Sequence, residues 1–247
     1  WNMMHMKLDP RDQRLHAAVS HFVYGPTTHY SDDLGKTWTQ AKQVPLITRP
    51  SKSGRPASTV DEAFRSEGGE DIKDKPEKMI QVWNITPGRA SEPNVLYAGA
   101  QPASLYISKD RGETWELNET LFDHPHRGQW NPGAGGLCLH TIVLDPTNEK
   151  RMYIAVSAAG CYRTDDGGQT WHPFNKNVRA DFMPDKFPEF GQCVHKMTMH
   201  PSDPNVLYQQ NHCGIYRSDN AGEDWIDIGE GRLPSRFGFP IAVHPTD

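Results

Sequence analysis

Apolar and polar positions alternate along this chain in short runs that stop at proline. NMMHMKLDP (2–10), QVWNITP (81–87), LHTIVLDP (139–146), VHKMTMHP (194–201) and FPIAVHP (239–245) share that form. A period of two over several residues reads as a half-buried strand, and proline, which has no amide proton to donate, ends it. A polar turn follows, then an apolar stretch such as NVLYAGA, RMYIAVSA or NVLYQQN, a shorter run such as GIYR, and a turn rich in Asp and Gly that closes on Trp. This succession predicts antiparallel four-stranded sheets, each opening on a proline-terminated innermost strand. No helix-period pattern of useful length is present, so the expected class is all-β.

The closing turn is a repeated motif. SDDLGKTW, SKDRGETW, TDDGGQTW and SDNAGEDW begin at Ser31, Ser108, Thr164 and Ser218 and fit Ser/Thr-x-Asp-x-Gly-x-Thr-Trp. The residues expected to act structurally are Ser31, Asp33, Gly35 and Trp38, then Ser108, Asp110, Gly112 and Trp115, then Thr164, Asp166, Gly168 and Trp171. In the fourth copy they are Ser218, Gly222 and Trp225, with Asn220 at the Asp position and Asp224 at the Thr position. Hydroxyl and carboxylate can bond amides of their own loop, the Gly takes a positive φ, and the Trp drops onto apolar surface as the next strand begins.

This motif resembles that of the Asp-box or BNR-repeat β-propellers, a group that includes sialidases, some endoglucanases, sortilin-type receptors and photosystem assembly factors. The resemblance implies a β-propeller of four-stranded blades in which each box links strands three and four; it implies no particular activity. The boxes lie 77, 56 and 54 residues apart, against about 40 to 50 per blade. The long first interval marks a polar, Gly/Pro-containing insertion at about 49–78. The expected organisation is one domain over 1–247, with four boxed blades and the first strand of a fifth. Because six or seven blades are usual for such propellers, the chain is expected to be an incomplete part of one, with any signal peptide lying before Trp1.

Composition narrows the function classes. A formal charge of −5 with scattered Lys and Arg argues against a nucleic-acid surface. No apolar run approaches the roughly 20 residues of a membrane span, so a soluble chain is expected, the cytoplasm slightly favoured and the compartment open. Cys138, Cys161, Cys193 and Cys213 form no CxxC pair and are expected to be reduced and buried.

In such a fold the links before strand one and between strands two and three share the face opposite the boxes. Here those links are long and varied, at 39–80, 116–138, 172–193 and 226–238, and irregular loops on a rigid scaffold are where sites accumulate. His140 and His195 each fall six residues before the strand-ending proline. With His212, Asn211, Arg236, Arg179 and Gln192 they are the candidate ligand-binding residues. His124, His126, Arg127 and Trp130 are expected to join the same concavity. Three readings stay open. A glycosidase-like hydrolase would need two carboxylates, for which Asp181 and Glu189 are the nominees. A metal site would use His140, His195 and His212. A non-enzymatic binding or assembly scaffold needs neither. No cofactor is required by the sequence, a divalent metal is compatible with it, and a small polar or carbohydrate ligand is the expected partner.

Overall fold

The computed structural model describes residues 2–68, 72, 75 and 77–244. Among the described residues sixteen strands form four antiparallel four-stranded sheets in strict chain order. The first blade holds β1 (Asn2–Leu8), β2 (Leu15–His21), β3 (Gly25–Ser31) and β4 (Thr39–Gln40). The second holds β5 (Gln81–Pro87), β6 (Leu96–Gln101), β7 (Ser104–Ser108) and β8 (Glu116–Leu117). The third holds β9 (Cys138–Leu144), β10 (Met152–Ser157), β11 (Gly160–Thr164) and β12 (His172–Pro173). The fourth holds β13 (Val194–His200), β14 (Asp203–Asn211), β15 (Gly214–Ser218) and β16 (Ile226–Asp227). The innermost strands β1, β5, β9 and β13 lie beside one another in succession, the arrangement of propeller blades.

Each box forms the same knot of hydrogen bonds. In the first, the Ser31 hydroxyl donates to Asp33 Oδ1 at 2.7 Å and accepts from the Gly35 amide at 2.8 Å. Asp33 in turn accepts from the Thr37 amide at 2.8 Å and the Thr37 hydroxyl at 2.7 Å. The Gly residues sit at φ 89°, 88°, 89° and 90°, where any side chain would be strained. In the fourth box the Asn220 side-chain oxygen accepts from the Asp224 amide at 3.0 Å, so the loop geometry survives the substitution.

The box indoles join blade to blade. Trp115 donates to Thr28 Oγ1 at 3.1 Å, Trp171 to Asn118 Oδ1 at 3.1 Å and Trp225 to the Phe174 carbonyl at 2.8 Å, each partner belonging to the preceding blade. Each indole also anchors one of three apolar cores that span consecutive blades. Arginines add a second link. Arg11 reaches the Val95 carbonyl at 3.0 Å, and Arg89, in the equivalent turn of the next blade, reaches the Asp145 and Arg151 carbonyls at 3.0 and 2.6 Å. Trp38, with no blade before its own among the described residues, is 38% exposed, against 4%, 4% and 2% for the other three.

Two departures from the sequence reading have clear causes. Within the insertion stands a helix, α1 (Val60–Glu67), none of whose residues is buried. A capping box forms it: Thr59 Oγ1 accepts from the Glu62 amide and the Glu62 carboxylate accepts from the Ser58 amide at 2.8 Å. The signal is therefore local, with no apolar stripe to detect. Residues 239–244 carry no strand; a lone extended segment has nothing to share its backbone hydrogen bonds with. The remainder of the 239–245 run lies outside the described residues.

If the indoles join the blades, Trp115→Ala or Trp171→Ala should cost about 3 to 5 kcal/mol, as large aromatic deletions in cores do. Trp38→Ala should cost no more than about 1 kcal/mol, in the range of exposed positions. Equilibrium urea unfolding of the three variants measures the contrast, and equal losses at all three would refute it.

Candidate functional site

A cavity of about 440 Å³ opens on the face opposite the boxes. Its walls come from the second, third and fourth blades. Trp83, His140 and His195 reach it from the innermost strands, Ser157 from the end of β10, His212 from the link between β14 and β15, and Phe182, Phe237 and Phe239 from the long loops. Pro132–Gly135 closes one side. The glycines of GAGG have a steric role there: a Cβ on Gly133 would stand 2.5 Å from Ser157 Oγ, and one on Gly136 2.0 Å from Gln101 Nε2. The Gly-rich run thus lets a loop lie flat against the blade and form the cavity wall.

A β-bulge interrupts the innermost strand of every blade at one equivalent position. The pairing skips from Met3 to His5 in β1, from Val82 to Asn84 in β5, and from Val194 to Lys196 in β13. In β9, Leu139 pairs with Val156 and Thr141 with Ala155. The extra residues are therefore Met4, Trp83, His140 and His195. A bulge re-aims the side chain it carries, and three of these four line the cavity.

Both ring nitrogens of His140 are engaged. Nε2 lies 2.9 Å from the Val194 carbonyl, which can only accept, so Nε2–H donates and Nδ1 accepts from the Thr141 hydroxyl at 2.9 Å. Burial holds this imidazole down to about 4, opposed in part by the bond to Val194. His195 is arranged differently. Nδ1–H donates to the Gly238 carbonyl at 2.5 Å, which leaves the Nε2 lone pair facing Cys193 Sγ at 3.6 Å. Burial lowers its pKa too, partly offset by the Gly238 bond. His212 is exposed and meets His195 edge-on with ring centroids 5.7 Å apart. Donor atoms of Cys193, His195 and His212 all lie within 4.8 Å of one another. Burial raises the Cys193 thiol above its ordinary value and pushes Cys138 up to about 12.

The other candidates lie outside the cavity lining. Arg179 pairs with Asp181 at 2.8 Å at the exposed edge of the 172–193 loop, and Glu189 is exposed on the same loop. Gln192 is fully buried and donates to the Pro188 carbonyl at 2.6 Å. Asn211 is likewise buried, its side-chain oxygen accepting from the Cys213 amide at 3.1 Å. Arg236 is ion-paired with Asp227. Four loop residues expected at the concavity are instead packed into the body of the blades. His124 bonds the Trp171 carbonyl, His126 and Trp130 bond the Tyr162 hydroxyl, and Arg127 forms a buried ion pair with Glu77. The 116–138 loop folds inward because Leu121, Phe122 and Trp130 complete the core between the second and third blades.

Trp83 and the three phenylalanines were not singled out by sequence, and Cys193, expected to be buried with the other cysteines, is only half-buried on the cavity wall. A signal for Trp83 exists. Leu8, Pro87, Leu144 and Met199 occupy equivalent pairing positions, each four residues after its bulge. Pro87 is itself the last paired residue, whereas Pro10, Pro146 and Pro201 come two positions later, so an alignment on proline displaces the second blade by two.

The blades, boxes and channel-face cavity together define a β-propeller. The Sortilin-Vps10 family model (sortilin, neurotensin receptor 3) matches residues 103–238, more than half of the chain, and the chain belongs to that family. It is also similar to a xyloglucanase of Acetivibrio thermocellus, 29% identical over 132 residues, which is 47% of this chain and 15% of the relative. An oligoxyloglucan-reducing end-specific xyloglucanase of Emericella nidulans is 26% identical over 168 residues, 66% of this chain and 16% of the relative. The chain thus spans about a sixth of the length of these curated relatives. Among solved structures, an ancestral GH74 enzyme has a TM-score of 0.55 at 16% identity, over 92% of this chain and 24% of that one. The Niastella koreensis GH74 enzyme has a TM-score of 0.53 at 18% identity, over 92% and 30%. Among the described residues no helix is long and apolar enough to cross a membrane.

The state of His140 gives a pH dependence with a definite sign. An imidazole neutral in the fold and protonated when unfolded makes the unfolded state bind more protons between pH 6.5 and about 4. Stability is then full above pH 6.5 and falls as pH drops to 4, by on the order of 3 kcal/mol for this residue. His5 and His16, held to about 4 by burial, add to the same slope. Thermal melts from pH 7 to 4 should show a shallower decline for His140→Gln than for the parent chain, and parallel profiles would refute this account.

Proposed function

We propose that the channel-face cavity binds a glycan-type ligand and that this chain acts as a carbohydrate-binding propeller unit. The observation that carries the reading is the make-up of the cavity. Aromatic faces from Trp83, Phe182, Phe237 and Phe239 stand around imidazoles and a serine hydroxyl in about 440 Å³, a volume within the roughly 300–1,000 Å³ of small-ligand sites. A sugar ring presents apolar C–H faces that lie against aromatic rings and equatorial hydroxyls that need polar partners, and this lining offers both. The similarity to two xyloglucanases supports a β-glucan-type oligosaccharide as the first ligand to test.

Binding is favoured over hydrolysis because, among the described residues, no Asp or Glu lines the cavity. Two-carboxylate glycoside hydrolysis needs an acid and a second carboxylate flanking the scissile bond. Asp181 is already paired with Arg179 on an exposed loop.

Isothermal titration with xyloglucan oligosaccharides, followed by a wider glycan panel, tests the reading. Trp83→Ala and Phe182→Ala should each weaken binding at least about tenfold, a loss equivalent to about 1.4 kcal/mol. Asp181→Asn and Glu189→Gln should leave it unchanged. Absence of binding across the panel overturns the proposal. Release of reducing ends that disappears in Asp181→Asn or Glu189→Gln would transfer the chain to the hydrolase class.

A further inference from the structure

We propose that Cys193, His195 and His212 form a binding site for a zinc-class divalent cation on the wall of the channel-face cavity. Three independent features of the arrangement lead there. The first is distance. With Zn–S about 2.3 Å and Zn–N about 2.0 to 2.1 Å, a thiolate sulfur and an imidazole nitrogen on one tetrahedral ion stand about 3.6 Å apart. Cys193 Sγ and His195 Nε2 are 3.6 Å apart. The His212 donor already lies within 4.8 Å of both, and its ring is exposed at the turn between β14 and β15. A side-chain rotation can bring it the remaining distance with no change in the sheet.

The second feature is orientation. A metal-binding histidine commonly donates its other ring N–H to a carbonyl or carboxylate, which fixes the tautomer and presents the bare nitrogen to the ion. His195 does this in full, through Nδ1–H to the Gly238 carbonyl. His140 lies on the same wall but has both nitrogens spent on Val194 and Thr141, so the third donor is the Cys193 thiolate. Cys193 and His195, two residues apart, sit on either side of Val194 at the bulge in β13. Both donors line the cavity wall.

The third feature is donor chemistry. A mixed Cys/His₂ set suits a borderline-soft ion, and three protein ligands with the fourth place left to solvent or ligand is the open arrangement of zinc sites that do more than hold a fold. All three donors line the cavity, so the fourth place belongs to what enters it. Among the described residues no methionine lines the cavity, so none supplies the weak axial thioether typical of a blue-copper centre. Binding as the thiolate would release the proton of the Cys193 thiol.

The test uses the full chain, stripped with chelator and titrated with Co²⁺ and then Zn²⁺. Co²⁺ should bind at one equivalent and give a thiolate-to-cobalt charge-transfer band with the intense visible bands of a tetrahedral ion, which Zn²⁺ should erase stoichiometrically. Zn²⁺ should also raise the melting temperature of the parent chain. Cys193→Ala should abolish the charge-transfer band, and His212→Gln, at an exposed position where folding is not at risk, should weaken Co²⁺ at least about tenfold. Cys138→Ala and Cys213→Ala should leave band and affinity unchanged. A band that persists in Cys193→Ala, an affinity unmoved in His212→Gln, or no stoichiometric binding by the parent chain overturns the site. The cobalt spectrum needs no carbohydrate, so this result stands or falls apart from glycan binding.

Discussion

The structure depends first on seating an indole in the blade that comes before it. A four-stranded sheet of this length, ending in a two-residue outer strand, cannot bury both faces alone. Trp115, Trp171 and Trp225 each close the gap to the preceding blade and satisfy their N–H on that blade's own backbone or side chain. Stability is therefore a property of junctions between blades, summed from nearest neighbours as in other repeat proteins. The Arg11 and Arg89 guanidinia reinforce the same junctions by supplying donors to carbonyls that the sheets leave over.

The box turn makes that seating reproducible. Its hydroxyl, carboxylate and positive-φ glycine are consumed within the loop, so the turn arrives at one geometry whatever occupies the x positions. A face built of four such turns has little freedom. The opposite face carries none of this constraint, and there the loops range from a short hairpin to an insertion of some thirty residues with its own helix. The rigid side sets where the strands begin, and the variable side decides what stands around the cavity.

The repeat, the blade order, the strand-to-box succession and the face bearing the long loops were all legible in the sequence, because each follows from periodicity, proline and turn chemistry. Individual site residues were legible only in part. His140, His195 and His212 lie on the cavity because they are tied to strand ends that the sequence marks. Trp83 was hidden by a proline that falls within the pairing instead of after it. Arg127 and His126 look like surface chemistry in sequence, yet they fold inward, since nothing local distinguishes a loop that crosses solvent from one that completes a core. Cys193 gains its significance only from His212, which lies on another strand connection, a relation that no local pattern carries.

The bulge shared by the four innermost strands has an evolutionary consequence. An ordinary strand position answers to a cross-strand partner on each side and to the core beneath it, so exchanging it disturbs several neighbours at once. The bulged residue is released from that pairing while its backbone stays anchored fore and aft. Met4, Trp83, His140 and His195 are therefore positions where a thioether, an indole or an imidazole has been installed without altering blade register. A propeller of this kind can change what lines its channel one blade at a time, by single substitutions, while the scaffold that presents them is inherited intact.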